Sequence, residues 1–205
     1  MLLKTKEKKE RALGTKLFLK SDRCNSPKCA MVRRPYKPGA HGKSRKRGSL
    51  SEYGQQLLEK QKLKISYGIK EAQLRKIFKE AAKSIAIGQT VINLIERRLD
   101  NIIFRLGLAG SRIVARQFIS HGHILVNGKK MKTSSSVLRI GDNVSINPSS
   151  LSLLIFKDLP NTISKYNPPE WLEGNNEKLE GKIKSSPIDI EVPFDINMVV
   201  DYYSR

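Results

Sequence analysis

Residues 91–130 run VINLIERRLD NIIFRLGLAG SRIVARQFIS HGHILVNGKK, and the period of their apolar positions changes once. Val91, Ile92, Ile95, Leu99, Ile102, Ile103 and Leu106 share one helical stripe about 120° wide, with Arg97, Asn101 and Arg105 on the polar side. Gly107 stands where that helix should end. After Leu108-Ala109-Gly110, Ser111 is the expected N-cap of a second helix that turns Val114, Ala115, Phe118 and Ile119 inward. Arg112 and Arg116, four apart, project from one face of it. The pattern then becomes extended. His123 to Val126 meets Asn127-Gly128 and Lys129 to Met131, and Asn-Gly between two such runs signals a two-residue hairpin. Val137 to Ile140, the Gly141-Asp142 turn and Val144 to Ile146 read as strand, turn and strand. The segment is a helix-turn-helix followed by a small sheet, an α+β unit.

Upstream, Leu74, Ile77, Phe78, Ala81 and Ile85 make the apolar stripe of a helix across 70–85, while Arg75, Lys76, Lys79 and Lys83 fall together on its other side. Acidic Glu71 and Glu80 lie outside that cationic cluster, which favours a face turned to phosphates over a merely solvated one. Ser49 and Glu52 have capping-box spacing ahead of Tyr53, Leu57 and Leu58, so another helix starts there. Before it, residues 31–49 hold seven Lys or Arg, no acid, two Pro and three Gly. Pro35 and Pro38 force the preceding residues into extended geometry, so this is an arm rather than a helix. Arg33, Arg34, Lys37, Lys43, Arg45, Lys46 and Arg47 can track phosphates, with Tyr36 and His41 available to stack on bases. A solvated basic tail has the same composition, but this stretch is internal and leads straight into a helix.

The whole chain has 205 residues and a formal charge of +20. Self-repulsion of that size calls for a polyanionic partner, nucleic acid before an anionic membrane. The charge falls along the chain: +13 for 1–50, +4 for 51–100, +6 for 101–150 and −3 for 151–205. No apolar run approaches the ~18 residues of a membrane span, and Met1-Leu2-Leu3 gives way at once to lysines, so a cytosolic protein is expected. Cys24 and Cys29 are too few for a disulfide framework. His121 and His123 sit among basic residues, where an RNA-contacting or structural role outweighs general-base duty. There is no P-loop, dinucleotide fingerprint or aspartate set in a long catalytic domain. In the net-negative tail, Trp171, Tyr202 and Tyr203 either anchor a basic protein neighbour or pack the segment onto the body.

Arg98-Leu99-Asp100-Asn101-Ile102-Ile103-Phe104-Arg105-Leu106-Gly107, with Ser111-Arg112, Ala115-Arg116-Gln117, Ser120-His121 and Ile124 to Gly128, closely resembles the RNA-binding module first described in the fourth protein of the small ribosomal subunit. The flanks resemble that family too: Leu17 to Lys20, the Arg33 to Gly42 arm, Leu50 to Gly54, Glu59-Lys60-Gln61-Lys62-Leu63, Tyr67 to Ile69, Pro169 to Leu172 and Tyr202 to Arg205. Residues 148–167 are the least familiar.

The resemblance implies a structural, non-enzymatic primary binder of small-subunit rRNA. It would nucleate assembly of the subunit body at the five-prime domain and contact the fifth small-subunit protein, a contact implicated in decoding accuracy. Lys43, Arg45, Lys46 and Arg47 would flank the channel through which mRNA enters. The module would meet RNA through Arg97, Arg105, Ser111, Arg112, Arg116, Gln117, His121, Asn127 and Lys129, and the helices before it through Tyr53, Lys60, Lys62 and the α-face lysines above. The implied organisation is a basic segment and arm (1–50), a helical rRNA-binding region (51–90), the inserted helix-turn-helix and hairpin module (91–150), and an acidic segment packing back on the helical region (151–205). A ribosome in the cytoplasm is the expected location, with an organellar one left open.

Some members of that family hold zinc with four N-terminal cysteines. Here the early pair is missing, and counting back along the matching stretch puts Glu7 and Glu10 in its place. Structural zinc is closed by four Cys or His ligands almost always, so no metal or other cofactor is expected at Cys24 and Cys29. An RNA-modifying or tRNA-acting enzyme carrying the same module is the alternative. It would need a catalytic domain after the module, and the stretch beyond Ile146 is too short for one. A DNA-reading helix-turn-helix is disfavoured by the internal arm.

Overall fold

A computed structural model describes residues 6–44, 50–157, 159–163, 166–175, 178–188 and 190–204. Among these the helices are α1 (Lys6–Leu13), α2 (Ser21–Asn25), α3 (Ala30–Arg33), α4 (Glu52–Ser66), α5 (Glu71–Ala81), α6 (Ile87–Glu96), α7 (Leu99–Arg105), α8 (Arg112–His121), α9 (Leu154–Lys157), α10 (Leu159–Ile163) and α11 (Ile196–Ser204). The strands are β1 (Ile124–Val126), β2 (Lys129–Lys130), β3 (Asn143–Ile146), β4 (Leu172–Asn175) and β5 (Glu180–Ile183). The fold is α+β, as the sequence pattern predicts, and it divides into two units: residues 1–91 with 191–205, and residues 92–190.

The first unit is helical. The hydroxyl of Ser51 accepts the Gly54 N–H at 3.2 Å and caps α4. The cap expected at Ser49 lies outside the described residues. On α5, Leu74, Phe78 and Ala81 are buried while Arg75, Lys76 and Lys79 are exposed, the two faces that the spacing implies. The helix stops at Ala81, four residues short of Ile85, which is fully exposed rather than part of the stripe; Lys83 also lies past the helix end. The carboxy-terminal helix α11 lies against α4 and α5. Tyr203 stacks on Phe78 at 4.3 Å between ring centres, Tyr202 lies 5.7 Å from Tyr53, and Phe194 meets Tyr67 edge-on at 6.2 Å. An aromatic pair of this kind contributes about 0.5–1.5 kcal/mol beyond its buried area. The two tyrosines therefore pack the tail onto the unit to which the chain's own α4 belongs.

The second unit carries the sheet, in order β2-β1-β3-β5-β4 and antiparallel throughout. Here the structure departs from the single helix expected across 91–106. Arg98 turns extended, with ψ 140°, and bridges Val137; Leu99 N–H donates to Ser136 O at 2.8 Å and Leu138 N–H to Arg97 O at 2.9 Å. Those cross-chain bonds replace helical ones, so α6 and α7 are separate. The same pairing consumes Val137, and residues 138–140 do not form the strand expected there.

Other expectations in this unit match the structure. Ser111 caps α8 by accepting Val114 N–H, and Asn127 and Gly128 both take positive φ, 50° and 76°, in the β1–β2 turn. The stretch 151–205, read as one acidic segment, is shared out. Its strands β4 and β5 extend the sheet through β3, and only 191–205 joins the helical unit. The core of this second unit runs from Leu99 and Ile103 through Phe118, Ile119, Ile124 and Val144 to Phe156, Trp171 and Ile183. Each such side chain, fully buried, is worth about 1.5–3 kcal/mol. Trp171 is thus core, not an exposed anchor.

Candidate nucleic-acid interface

The arginines of the module are held from below by buried acids. Glu96 closes α6 with no exposure at all, and Asp100 opens α7 at 2 %. Arg105 meets the Glu96 carboxylate at two points, through Nε at 3.0 Å and Nη2 at 2.9 Å. Asn101 donates to that carboxylate and to the Glu96 carbonyl, and its own Oδ1 accepts Arg112 Nε at 2.7 Å. Arg112 also lies over the Phe104 ring at 4.6 Å. Asp100 takes Arg98 at 3.1 Å and Arg116 at 2.6 Å, both on Oδ2.

The chain Arg105, Glu96, Asn101, Arg112 thus crosses α6, α7 and α8 without a break, and Asp100 ties in Arg116. Two carboxylates taken out of water are tolerable only because guanidinium groups pair with them at good geometry. In return the arginine orientations are fixed, while Arg105 and Arg116 keep 22 % and 23 % of their side chains exposed. Arg97 is held as well, its Nε donating to Leu138 O at 2.8 Å. Gln117, His121 and Lys129 are exposed, on α8 and the hairpin.

Glu96, Asp100 and Asn101 were not singled out in the sequence pattern as site residues. The signal available was polar residues at the seam of two apolar helices, where an acid with no exposure needs a cationic partner.

In the amino-terminal unit, Arg33, Arg34, Lys37, His41 and Lys43 are exposed, while Arg45, Lys46 and Arg47 lie outside the described residues; the arm is not extended throughout, since Arg33 ends α3 and Ala40–Lys43 form a 3-10 turn on either side of the proline-bound stretch. Tyr36 is half-buried. Arg11 sits over its ring at 4.9 Å and Lys43 at 5.3 Å, so the ring that composition offered for base stacking is occupied by the chain's own cations. Arg11 further donates Nε to the carbonyls of Arg34 and Tyr36 at 3.0 and 3.1 Å.

Four other expected contacts have internal roles. Lys60 is buried at 5 %, its ammonium 3.2 Å from Glu71, 3.3 Å from the Tyr202 hydroxyl and over that ring; a lysine so placed is spent within its own unit. Lys62 pairs with Glu59 at 2.6 Å. Ser111 is buried as a helix cap. Asn127 uses both ends of its amide, donating to Asp142 at 2.8 Å and accepting Asn143 N–H at 2.9 Å, to lock the hairpin turn. Tyr53 remains exposed beside Tyr202.

Cys24 and Cys29 are both buried at 1 %. Cys24 Sγ accepts Lys20 N–H at 3.4 Å; burial pushes the thiol up from its ordinary value, and the Glu10, Cys29 and Glu7 charges push the same way against that hydrogen bond. Glu10 is wholly buried, its Oε1 accepting Leu17 and Leu19 N–H at 3.2 and 3.0 Å. Glu7 is paired with Arg23 at 2.6 Å. Among the described residues, no group of three or more such ligands comes together in a metal-holding arrangement. The residues present do not fit a structural zinc.

Two families match the chain: one described as "Ribosomal protein S4/S9 N-terminal domain" over residues 2–96, the other as "S4 domain" over residues 97–144. The chain is 44 % identical over 195 residues to the small ribosomal subunit protein uS4 of Natranaerobius thermophilus, covering 94 % of this chain and 93 % of that one. It is 46 % identical over 195 residues to the protein of the same name from Halothermothrix orenii, with the same coverage. Identity to the one from Gloeobacter violaceus is 43 % over 198 residues, 95 % of this chain and 94 % of that protein.

Proposed function

The chain belongs to the small ribosomal subunit protein uS4 family, and from that premise we propose that it is a structural, non-enzymatic constituent of the small ribosomal subunit that binds the subunit's rRNA. The observation that carries the binding is the set Arg105, Arg112 and Arg116, fixed on buried Glu96, Asn101 and Asp100 at the module surface. A-form RNA hides its major groove, so preset guanidinium groups would engage phosphates, 2′-hydroxyls and exposed base edges, reading shape before sequence.

The finer reading places the chain on the five-prime domain of that RNA, where it nucleates the subunit body. The exposed cations Arg75, Lys76 and Lys79 of α5 and Arg33, Arg34 and Lys37 of the arm supply further phosphate contacts. Lys43, with Arg45, Lys46 and Arg47, flanks the channel for mRNA, and contact with the fifth small-subunit protein ties the chain to decoding accuracy. It works in the cytoplasmic ribosome and without a metal, Cys24 Sγ instead accepting Lys20 N–H while Glu10 holds the N–H groups of Leu17 and Leu19 just before it.

The test is protection footprinting and binding on a five-prime-domain rRNA fragment. Tight binding that weakens steeply with salt is expected, because each phosphate contact releases counterions. Unchanged reactivity of that RNA at moderate salt, with protein in excess, would sink the proposal.

A further inference from the structure

Between α1, α2 and α3 lies a cleft of about 490 Å³, and most of its wall was not singled out in the sequence pattern. Lys8 and Arg11 reach it from α1, Arg23 and Lys28 from α2 and the loop after it, and Arg33 and Arg34 from the end of α3. Among the described residues Glu7 is the one acid lining it, and Arg23 at 2.6 Å and Lys20 at 3.6 Å already engage that carboxylate. Lys8, Lys28, Arg33 and Arg34 are exposed and have no carboxylate partner among the described residues. Arg11 ties α1 to the end of α3, its Nε donating to the carbonyls of Arg34 and Tyr36 and its guanidinium lying on the Tyr36 ring.

Six cations around one concavity repel one another, and low-dielectric walls focus the resulting field on whatever enters. Among the described residues the lining has no aromatic ring and its acid is already paired, so cations dominate it. Its chemistry is that of a phosphate seat. The cations also continue past the cleft, since Arg33 and Arg34 lead into Lys37 and Lys43 of the arm. A strand seated in the cleft can run on along the arm, which a small polyphosphate cannot do.

We propose that this cleft binds consecutive phosphodiesters of one RNA strand and hands that strand to the basic arm. The inference rests on the rRNA-binding reading above and adds Lys8, Arg11, Arg23 and Lys28 to it.

The experiment compares three full-length proteins on a five-prime-domain rRNA fragment across a KCl series: wild type, Lys8→Ala with Lys28→Ala, and a control of equal charge change, Lys178→Ala with Lys182→Ala. The cleft variant should bind roughly tenfold more weakly, with a log K against log salt slope shallower by about 1.4–1.8, whereas the control should match wild type. Equal behaviour of the cleft and control variants overturns the proposal while leaving rRNA binding intact; no salt-dependent binding by wild type overturns both. Inorganic tripolyphosphate is titrated in parallel. If wild type binds it more tightly than the RNA, and the cleft variant loses that binding but keeps its RNA affinity, the seat belongs to a free polyphosphate and the proposal fails.

Discussion

Arg105 closes a two-point contact, at 3.0 and 2.9 Å, on the fully buried carboxylate of Glu96. Removing the acid strands a guanidinium; removing the arginine takes two hydrogen bonds from a fully buried carboxylate. Either break of such a pair costs about 3–5 kcal/mol. Glu96→Ala should therefore speed hydrogen exchange across α6 to α8 by that free energy and weaken rRNA binding, although Glu96 itself never reaches solvent. Unchanged exchange protection in those helices would show that the network is incidental.

Replacing Arg112 and Arg116 by Ala should lower rRNA affinity and flatten the salt slope by about 1.4–1.8, two contacts' worth. Helix content should stay the same by circular dichroism, since neither residue caps α8, a task that falls to Ser111. Stability should still drop, because Asp100 loses the Arg116 pair and, among the described residues, keeps Arg98. A salt slope equal to that of wild type would mean both arginines serve the fold alone.

What the sequence showed and what it concealed divide along a physical line. The faces of α5, the Ser111 cap and the Asn127-Gly128 turn are local, set by spacing and by residues with one strong backbone preference, and they were legible. The break between α6 and α7 was not, because Arg98 leaves the helix for a partner 39 positions away, Val137. Strands β4 and β5 were hidden for another reason. Their pairing sets Gly174 opposite Gly181, and glycines inside strands read as turns. Among site residues, the arginines were visible as charges, but Lys60 and Asn127 could not be sorted from them, since the partners that engage them, Glu71 and Tyr202 for the lysine and Asp142 for the amide, come from separate segments.

Gly107 follows α7 with φ 76°, and a Cβ there would stand 2.7 Å from Cδ1 of Tyr166. Strain at positive φ costs about 1–2 kcal/mol for a residue with a side chain, and the clash adds to it. Gly107→Ala should thus lose at least that much stability in urea. Adding Tyr166→Ala should restore the part due to the clash and leave the backbone part, and a double variant no better than the single one would argue against the contact.

Cys24 combines near-complete burial with a thiol raised above its usual range, chiefly by that burial. Only the thiolate attacks, so iodoacetamide at mildly alkaline pH should modify it at least about tenfold more slowly than a free thiol. Glu10→Ala removes the acceptor that holds Leu17 and Leu19 N–H, and should loosen the loop and raise the labelling rate. Labelling of the wild type at the free-thiol rate would contradict the packing of this segment.

Glu71 joins three partners from α4 and α11: Lys60 at 3.2 Å, Lys64 at 2.9 Å and the Tyr203 hydroxyl at 2.8 Å. Desolvation alone would raise its carboxyl, but the hydrogen bonds from Lys64, Tyr203 and Lys60, with the Lys60 charge, outweigh it and bring the pKa down from 4.5 to about 2. The same contact and burial push the Tyr203 phenol upward, so the proton stays on tyrosine and the charge on glutamate. A carboxyl depressed on folding stabilises the native state fully above its unfolded value. That contribution fades as pH falls from about 4.5 towards 2. The helical unit should accordingly lose stability through that window, measured by urea unfolding at stepped pH. Glu71→Gln should be less stable near neutrality and show a flatter profile below it, because the amide has no charge to lose; a Gln variant with the wild-type slope would place the acid sensitivity on other carboxylates.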